Sequence, residues 1–316
     1  MIRECKAFLL ERAGQWNLPA GEPWTFLLHN NYHPHSVNIN LLWFHNGSGF
    51  PRLVTKLFRQ PEIPKREFDN LVQVHRAVPQ CVPKPLYFGL LGEFWALWME
   101  GVPGLRLEAR RVSAAVVRSL AEMVAAIHRG LRRGGARADL DRYRRTVSQP
   151  LQTVADFGAA AAVRAGCARV AAQTSAQWID SLPVIPQHGD LFLSNVLSHR
   201  EEWHVVDWET FGTIDLPFYD LVTLLFSLLR AGGETPDQWD ASLAVQVPAA
   251  IESYAEALGL SAADVPRLFP LILANWFHLQ WCDGRGEFTR LMYRTIHHYF
   301  EHTEIWEKIF CPRRDS

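Results

Sequence analysis

The chain has 316 residues and a formal net charge of -1. That length suits one large or two medium domains with a buried core, and the near-zero charge gives no electrostatic footprint for nucleic acid. Hydrophobic residues make up 48% and charged residues 21%, a soluble globular balance, and no apolar stretch approaches membrane-spanning length. Five cysteines (Cys5, Cys81, Cys167, Cys282, Cys311) are scattered without a Cys-x-x-Cys pair, which argues against a disulfide framework or zinc site and fits a reducing cytoplasm. The apolar run Ala7 to Leu10 is too short for a secretory leader.

In chain order, a short helix is expected within residues 1–23, ending near Pro19-Ala20-Gly21. Trp24 to Leu28 reads as a strand, residues 29–36 as a polar turn, and Val37 to Phe44 as a second strand. Asn46-Gly47-Ser48-Gly49 is a strong hairpin signal. Arg52 to Phe58 is the third strand, with Lys56 near its end. A helix follows Pro61 to Pro64, with Phe68, Leu71, Val72 and His75 at helical spacing. Pro79 stops it. Two more strands cover Pro85 to Leu90 and Glu93 to Met99, and Glu100 to Gly104 reads as a linker.

The remainder is mainly helical. Ser113 to Arg129 has Val116, Leu120, Met123, Val124 and Ile127 on one face. Residues 130–145, rich in Arg and Gly, are expected to be exposed. Ala155 to Ile179 is Ala-rich, with helical spacing. Leu221 to Leu229 reads as a buried helix and 231–240 as a polar loop. Further helices are expected over about 241–258, 262–282 and 285–309. Region 276–310 is rich in aromatics, most of them expected in the core. Its acids are offset by Arg285, Arg290, Arg294 and several histidines, so it lacks the acidic excess that a polycationic ligand would need.

The chemistry concentrates in His188-Gly189-Asp190-Leu191-Phe192-Leu193-Ser194-Asn195 and Val205-Val206-Asp207-Trp208-Glu209. Apolar pairs Val196-Leu197 and Val205-Val206 predict a hairpin. Asp190 and Asn195 precede its first strand and Asp207 ends its second. Two carboxylates and a carboxamide converging at one edge can hold Mg²⁺ and take a proton, which is what phosphoryl transfer requires. The pattern His-Gly-Asp-x-x-x-x-Asn would arise by chance on the order of once in a thousand such chains, so it outweighs a plain Asp/Asn-capped turn.

On these motifs the chain resembles the aminoglycoside phosphotransferase and choline kinase-like family, relatives of the protein kinases. The resemblance covers about residues 24–300. It implies an α+β, two-lobed kinase-like fold, with a nucleotide-binding lobe of antiparallel strands and one helix over 1–101 and a helical catalytic and acceptor-binding lobe over 102–316. It implies transfer of the γ-phosphate of ATP to a hydroxyl of a small molecule such as an antibiotic, amino alcohol, sugar or related metabolite. Asp190 would be the catalytic base, Asn195 and Asp207 the Mg²⁺ ligands, and His188 a brace for the loop. Lys56 would hold the α- and β-phosphates, with an acid on the next helix as its partner: Glu67, with Glu62 and Asp69 as rivals. Met99, Glu100 and Gly101 would meet the adenine through their backbone. Asp220 would rigidify the catalytic loop, or simply cap the helix that begins at Leu221. No Gly-x-Gly-x-x-Gly lies between the first two strands, so phosphate contacts there would fall to backbone N–H groups and to Ser36 or His35. A glycine-poor phosphate loop keeps open a different reading, a non-catalytic nucleotide-binding homologue. No nucleic-acid or membrane partner is expected.

Overall fold

The computed structural model describes residues 1–19, 24–33, 36–108, 112–132 and 141–311, with the side chains of 30–33 and 36–38 outside the description. The chain divides into two compact units, Met1–Arg106 with Ser194–Thr210, and Leu107–Leu193 with Phe211–Ser316. No helix among the described residues is long and apolar enough to cross a membrane.

The first unit is built on an antiparallel sheet of β1 (Trp24–His33), β2 (Ser36–His45), β3 (Leu53–Phe58), β4 (Pro85–Leu91) and β5 (Phe94–Glu100), in the order β1-β2-β3-β5-β4. Asn46 and Gly47 take φ of 53° and 69° between β2 and β3. Such left-handed turn residues match the twist of the flanking strands. Alternation decides what each strand buries. Leu53, Thr55 and Leu57 of β3 are buried, with Leu41 and Trp43 of β2 and Trp98 of β5. Helix α1 (Ile2–Arg12) adds Cys5 and Leu9 to this cluster. The Trp43 indole N–H donates to Thr55 Oγ1 at 2.9 Å, so this buried hydroxyl is paired. By the same period of two, Lys56 faces the other side of β3.

Helix α2 (Glu62–Ala77) buries Pro64, Glu67, Leu71 and Val74. The expected face was set one position off. Leu71 is buried, but Phe68, Val72 and His75 are half-buried flanks, and a glutamate occupies the centre. A smaller sheet orders β6 (Leu105–Arg106), β7 (Val196–His199) and β8 (Glu202–Val205). This is the predicted hairpin, turned by Arg200 and Glu201 at φ 48° and 69°. Gly101 leaves β5 where only glycine fits, because a Cβ there would collide with the carbonyl of Pro51.

The second unit is helical. Its elements are α3 (Ala114–Leu131), α4 (Gln149–Phe157), α5 (Ala161–Gln173), α6 (Ala176–Ser181), α7 (Tyr219–Leu229), α8 (Ala241–Ala244), α9 (Val247–Leu258), α10 (Val265–Cys282), α11 (Gly286–Glu301) and α12 (Thr303–Phe310). Nearly all of α7 is buried, as its unbroken apolar run predicts. The Ala155–Ile179 stretch is not one helix. Gly158 is extended after α4, and the Ser175 hydroxyl caps α6 by accepting from the Trp178 N–H at 3.1 Å.

Arg142 overturns the expectation that 130–145 is exposed. It is 2% exposed, bonds the carbonyls of Ile179 and Leu182 at 2.8 Å each, and donates from Nε to Asp215 at 3.3 Å. Four carbonyl and carboxylate partners, Pro183 among them, repay the desolvation of the guanidinium. Residues 133–140 lie outside the described residues. The C-terminal aromatics Trp276, Phe277, Tyr299 and Trp306 are buried as expected, whereas Trp281 is exposed.

Candidate active site

In the first unit the hairpin brings Asn195 and Asp207 together at its open end. The Val206 N–H donates to the Asn195 carbonyl at 3.0 Å, one bond beyond the β7–β8 ladder. Asp207 then takes φ 73°, a left-handed conformation that an aspartate tolerates better than most side chains. Asn195 is buried, and the carboxylate of Asp207 is 37% exposed.

Lys56 comes to the same place from β3. Its Nζ lies 2.5 Å from Glu67 Oε1 and 2.7 Å from Asp207 Oδ1. Burial pulls the ammonium's pKa down, but the carboxylates of Asp207 and Glu67 outweigh it, and the group is held charged above the ordinary lysine value. Burial pushes the Glu67 carboxyl up to about 7, with Lys56 pulling the other way. Of the three acids considered on α2, Glu67 is therefore the one at Lys56. Asp69 instead pairs with Lys65 at 2.6 Å on the exposed side. The Asn70 carboxamide donates to the Trp208 carbonyl at 2.8 Å, which ties α2 to the turn after Asp207. No sequence pattern singled out Asn70.

At the end of β5, the N–H groups of Glu100 and Gly101 donate to the carbonyls of Lys84 and Arg52, each at 2.9 Å. Met99 is paired within the sheet, opposite Val54 and Pro85. The amides of Glu100 and Gly101 are thus already engaged. Ser36 begins β2, but its side chain lies outside the described residues, as does all of His35.

The second unit holds the His188–Leu193 loop. Asp220 organises it. Oδ2 accepts the His188 N–H at 2.6 Å and Oδ1 accepts the Gly189 N–H at 3.0 Å. Gly189 supplies φ 87° there. Asp220 is not the cap of α7, because Phe218 stands at that position with φ 69°. The Asp220 N–H donates to Gln187 Oε1 at 2.9 Å, and Gln187 Nε2 returns to the Ile185 carbonyl at 2.7 Å. Behind Asp220, His128 Nε2 lies 3.0 Å from Oδ2, and His128 Nδ1 lies 2.7 Å from the Tyr254 hydroxyl. The carboxylate oxygen accepts, so Nε2 carries the proton and Nδ1 accepts from Tyr254. Burial, reinforced by Asp220, raises the Tyr254 pKa above the ordinary tyrosine value, so the hydroxyl keeps its proton.

His188 Nδ1 accepts the Asp190 N–H at 3.2 Å, so the ring locks its own loop. The Tyr219 hydroxyl donates to the Gly189 carbonyl at 3.3 Å. Asp190 is 14% exposed, with Gln280 Nε2 3.5 Å from Oδ1 and Arg285 Nη1 3.6 Å from Oδ2. Sequence reasoning missed Gln187, His128, Tyr254, Gln280 and Arg285. Only His128 left a signal, as a polar residue beside the apolar face of α3. The others meet their partners across 33 to 126 positions in chain order.

Asp207, Asn195 and the acids beside Lys56 are hard oxygen donors of the kind Mg²⁺ takes, and a lone lysine among carboxylates suits phosphate oxygens. No set of three or more His, Cys, Asp or Glu side chains among the described residues is arranged as a protein-only metal cage.

Known proteins bear on this arrangement in two ways. In solved structures the chain matches a protein described as an aminoglycoside phosphotransferase from Ralstonia eutropha JMP134, with TM-score 0.67 and 15% identity over 95% of this chain and 98% of that one. It matches choline kinase from Cryptosporidium parvum Iowa II, with TM-score 0.66 and 11% identity over 98% of each chain. It also matches amicoumacin kinase in complex with AMP-PNP, Ca²⁺ and Ami, with TM-score 0.57 and 15% identity over 96% of this chain and 97% of that one. These likenesses show the expected α+β, kinase-like fold. A search of curated proteins by sequence finds no match. The model of the phosphotransferase enzyme family (APH) matches residues 31–267, well over half of the chain. The chain belongs to the phosphotransferase enzyme family.

Proposed function

We propose that this protein is an ATP-dependent small-molecule kinase that moves the γ-phosphate to an alcohol. The observation that carries the reading is Lys56 clasped by Glu67 and Asp207 at 2.5 and 2.7 Å, with Asn195 tied to the same hairpin end. Family membership supports phosphotransferase chemistry. The amicoumacin kinase complex with AMP-PNP and Ca²⁺ supports a nucleotide and a divalent ion as the cofactors.

In this reading Lys56 holds the α- and β-phosphates, and Glu67 keeps its ammonium aimed. Asp207 and Asn195 hold Mg²⁺, which when bound neutralises charge on the phosphate oxygens. Asp190 orients the acceptor hydroxyl and takes its proton as the oxygen–γ-phosphorus bond forms and the bond from γ-phosphorus to the bridging oxygen breaks, releasing ADP. Asp220 and His188 do no chemistry. They fix the loop that carries Asp190. Residues 1–101 with the hairpin 194–210 would serve the nucleotide, and the helical remainder the acceptor. Met99, Glu100 and Gly101 would line the adenine, and Ser36 the phosphates.

The test is a turnover screen of the full chain with ATP and Mg²⁺ against antibiotics, amino alcohols, sugars and nucleosides, read by mass spectrometry. Transfer to at least one class is expected. Nucleotide binding without transfer to any class would return the chain to the non-catalytic reading.

A further inference from the structure

Gln280 stands in the last turn of α10, 1% exposed. Its Nε2 lies 3.5 Å from Asp190 Oδ1, while its Oε1 is buried with no partner among the described residues. Turning the carboxamide over would set Oε1 against a carboxylate, which assigns Nε2 to the Asp190 side. A buried acceptor without a donor costs about 1–3 kcal/mol, and this one sits beside the carboxylate assigned to the acceptor hydroxyl.

Charge decides which donor suits it. Arg285 places Nη1 3.6 Å from Asp190 and Nη2 3.9 Å from Asp283. Its backbone N–H donates to the Gln280 carbonyl at 3.2 Å, so the guanidinium is anchored at this spot. An ammonium would have to compete with that guanidinium for both carboxylates and would meet its repulsion. A hydroxyl carries no such penalty. The carboxamide and the carboxylate are one hydrogen bond apart, a separation suited to hydroxyls on neighbouring carbons. The 3.5 Å contact is long, so the carboxamide can turn toward a ligand at little cost.

We propose that Gln280 is a specificity-determining residue, and that the acceptor is a neutral polyhydroxy compound whose second hydroxyl donates to Gln280 Oε1 beside the one that is phosphorylated. The proposal rests on the phosphotransferase reading above.

The experiment compares turnover of the full chain, with ATP and Mg²⁺, on three probe sets: simple polyols and sugars, their monodeoxy analogues lacking one neighbouring hydroxyl, and the amines ethanolamine, choline and kanamycin. Wild type is expected to phosphorylate a polyol, to use its deoxy analogue at least about tenfold less efficiently, the worth of one hydrogen bond, and to leave the amines untouched. Gln280→Leu is expected to raise KM for the polyol about tenfold and to bring polyol and deoxy analogue together. Equal losses on both would mark a structural role and overturn the proposal. Gln280→Glu, of the same size, is expected to admit ethanolamine, and an unmoved preference in that variant overturns the proposal even if the leucine variant fails to fold. Transfer confined to amines in wild type overturns this proposal alone. Absence of Asp190-dependent transfer to every probe removes the phosphotransferase reading and this one with it.

Discussion

One carboxylate, Asp220, accepts the backbone N–H groups of His188 and Gly189 at 2.6 and 3.0 Å. This contact joins α7 to the loop that carries Asp190, and His128 and Tyr254 back it from α3 and α9. All four side chains from Gln187 to Tyr254 in this chain of bonds are buried. Asp220→Ala leaves two buried amides and an imidazole without their acceptor. A stability loss of about 3 kcal/mol is expected, read from the urea midpoint. A change below about 0.5 kcal/mol, the usual scale of a neutral surface substitution, would show that the loop does not depend on this carboxylate.

Asp190→Ala is expected to abolish phosphoryl transfer while nucleotide affinity stays close to wild type, because the side chain is assigned to the acceptor's proton alone. Turnover and a nucleotide titration measure the two separately. Undiminished turnover would remove Asp190 from the role of base.

Asp207→Ala and Lys56→Met are expected to act on the nucleotide instead. Asp207→Ala should weaken Mg-nucleotide binding itself, seen by titration with and without Mg²⁺. Lys56→Met removes the cation from beside two acids and should lower kcat by about a hundredfold or more, the usual scale for losing a preorganised charge at a transferring phosphate. The substitution also leaves Glu67 buried without its partner, so its carboxyl should hold a proton to higher pH than in wild type. Following that carboxyl by infrared titration checks the sign.

His204, on β8, has both ring nitrogens buried without a partner among the described residues. Burial lowers its pKa, with Glu202 opposing and His199 assisting. The folded state therefore binds the proton less readily than the unfolded chain, whose histidines titrate near about 6.5. The stability that His204 allows is present above that pH and is lost as pH falls below it. His204→Leu is expected to raise Tm more at pH 5.5 than at pH 8. An equal shift at both would mean the ring is not titrating against the fold.

Arg142 gives a third test of packing, independent of the chemistry. Arg142→Leu leaves the carbonyls of Ile179, Leu182 and Pro183 and the carboxylate of Asp215 without their donor. A loss of about 3 kcal/mol or more is expected, measured by denaturant unfolding. A leucine that stabilised the protein would show that the guanidinium is not needed for this packing.

Local order and short-range chemistry were legible in the sequence alone. The period of two in β3 set Lys56 opposite Leu53, Thr55 and Leu57. Asn46-Gly47 set the hairpin turn. The spacing of His188, Asp190, Asn195 and Asp207 marked a loop with two carboxylates and a carboxamide, and the unbroken apolar run marked α7. Each depends on neighbours within a turn or a strand, where backbone geometry and the adjacent side chains decide the outcome. Only the tertiary structure decided who meets whom. Lys56 and Asp207 are 151 positions apart, and Gln280 and Asp190 are 90 apart. Nothing local marks an arginine in a basic run as buried, or a glutamine at a helix end as the neighbour of Asp190. Burial and pairing are settled jointly by all the elements that pack together, so the charge that a buried group can keep is a property of the fold rather than of the residues flanking it.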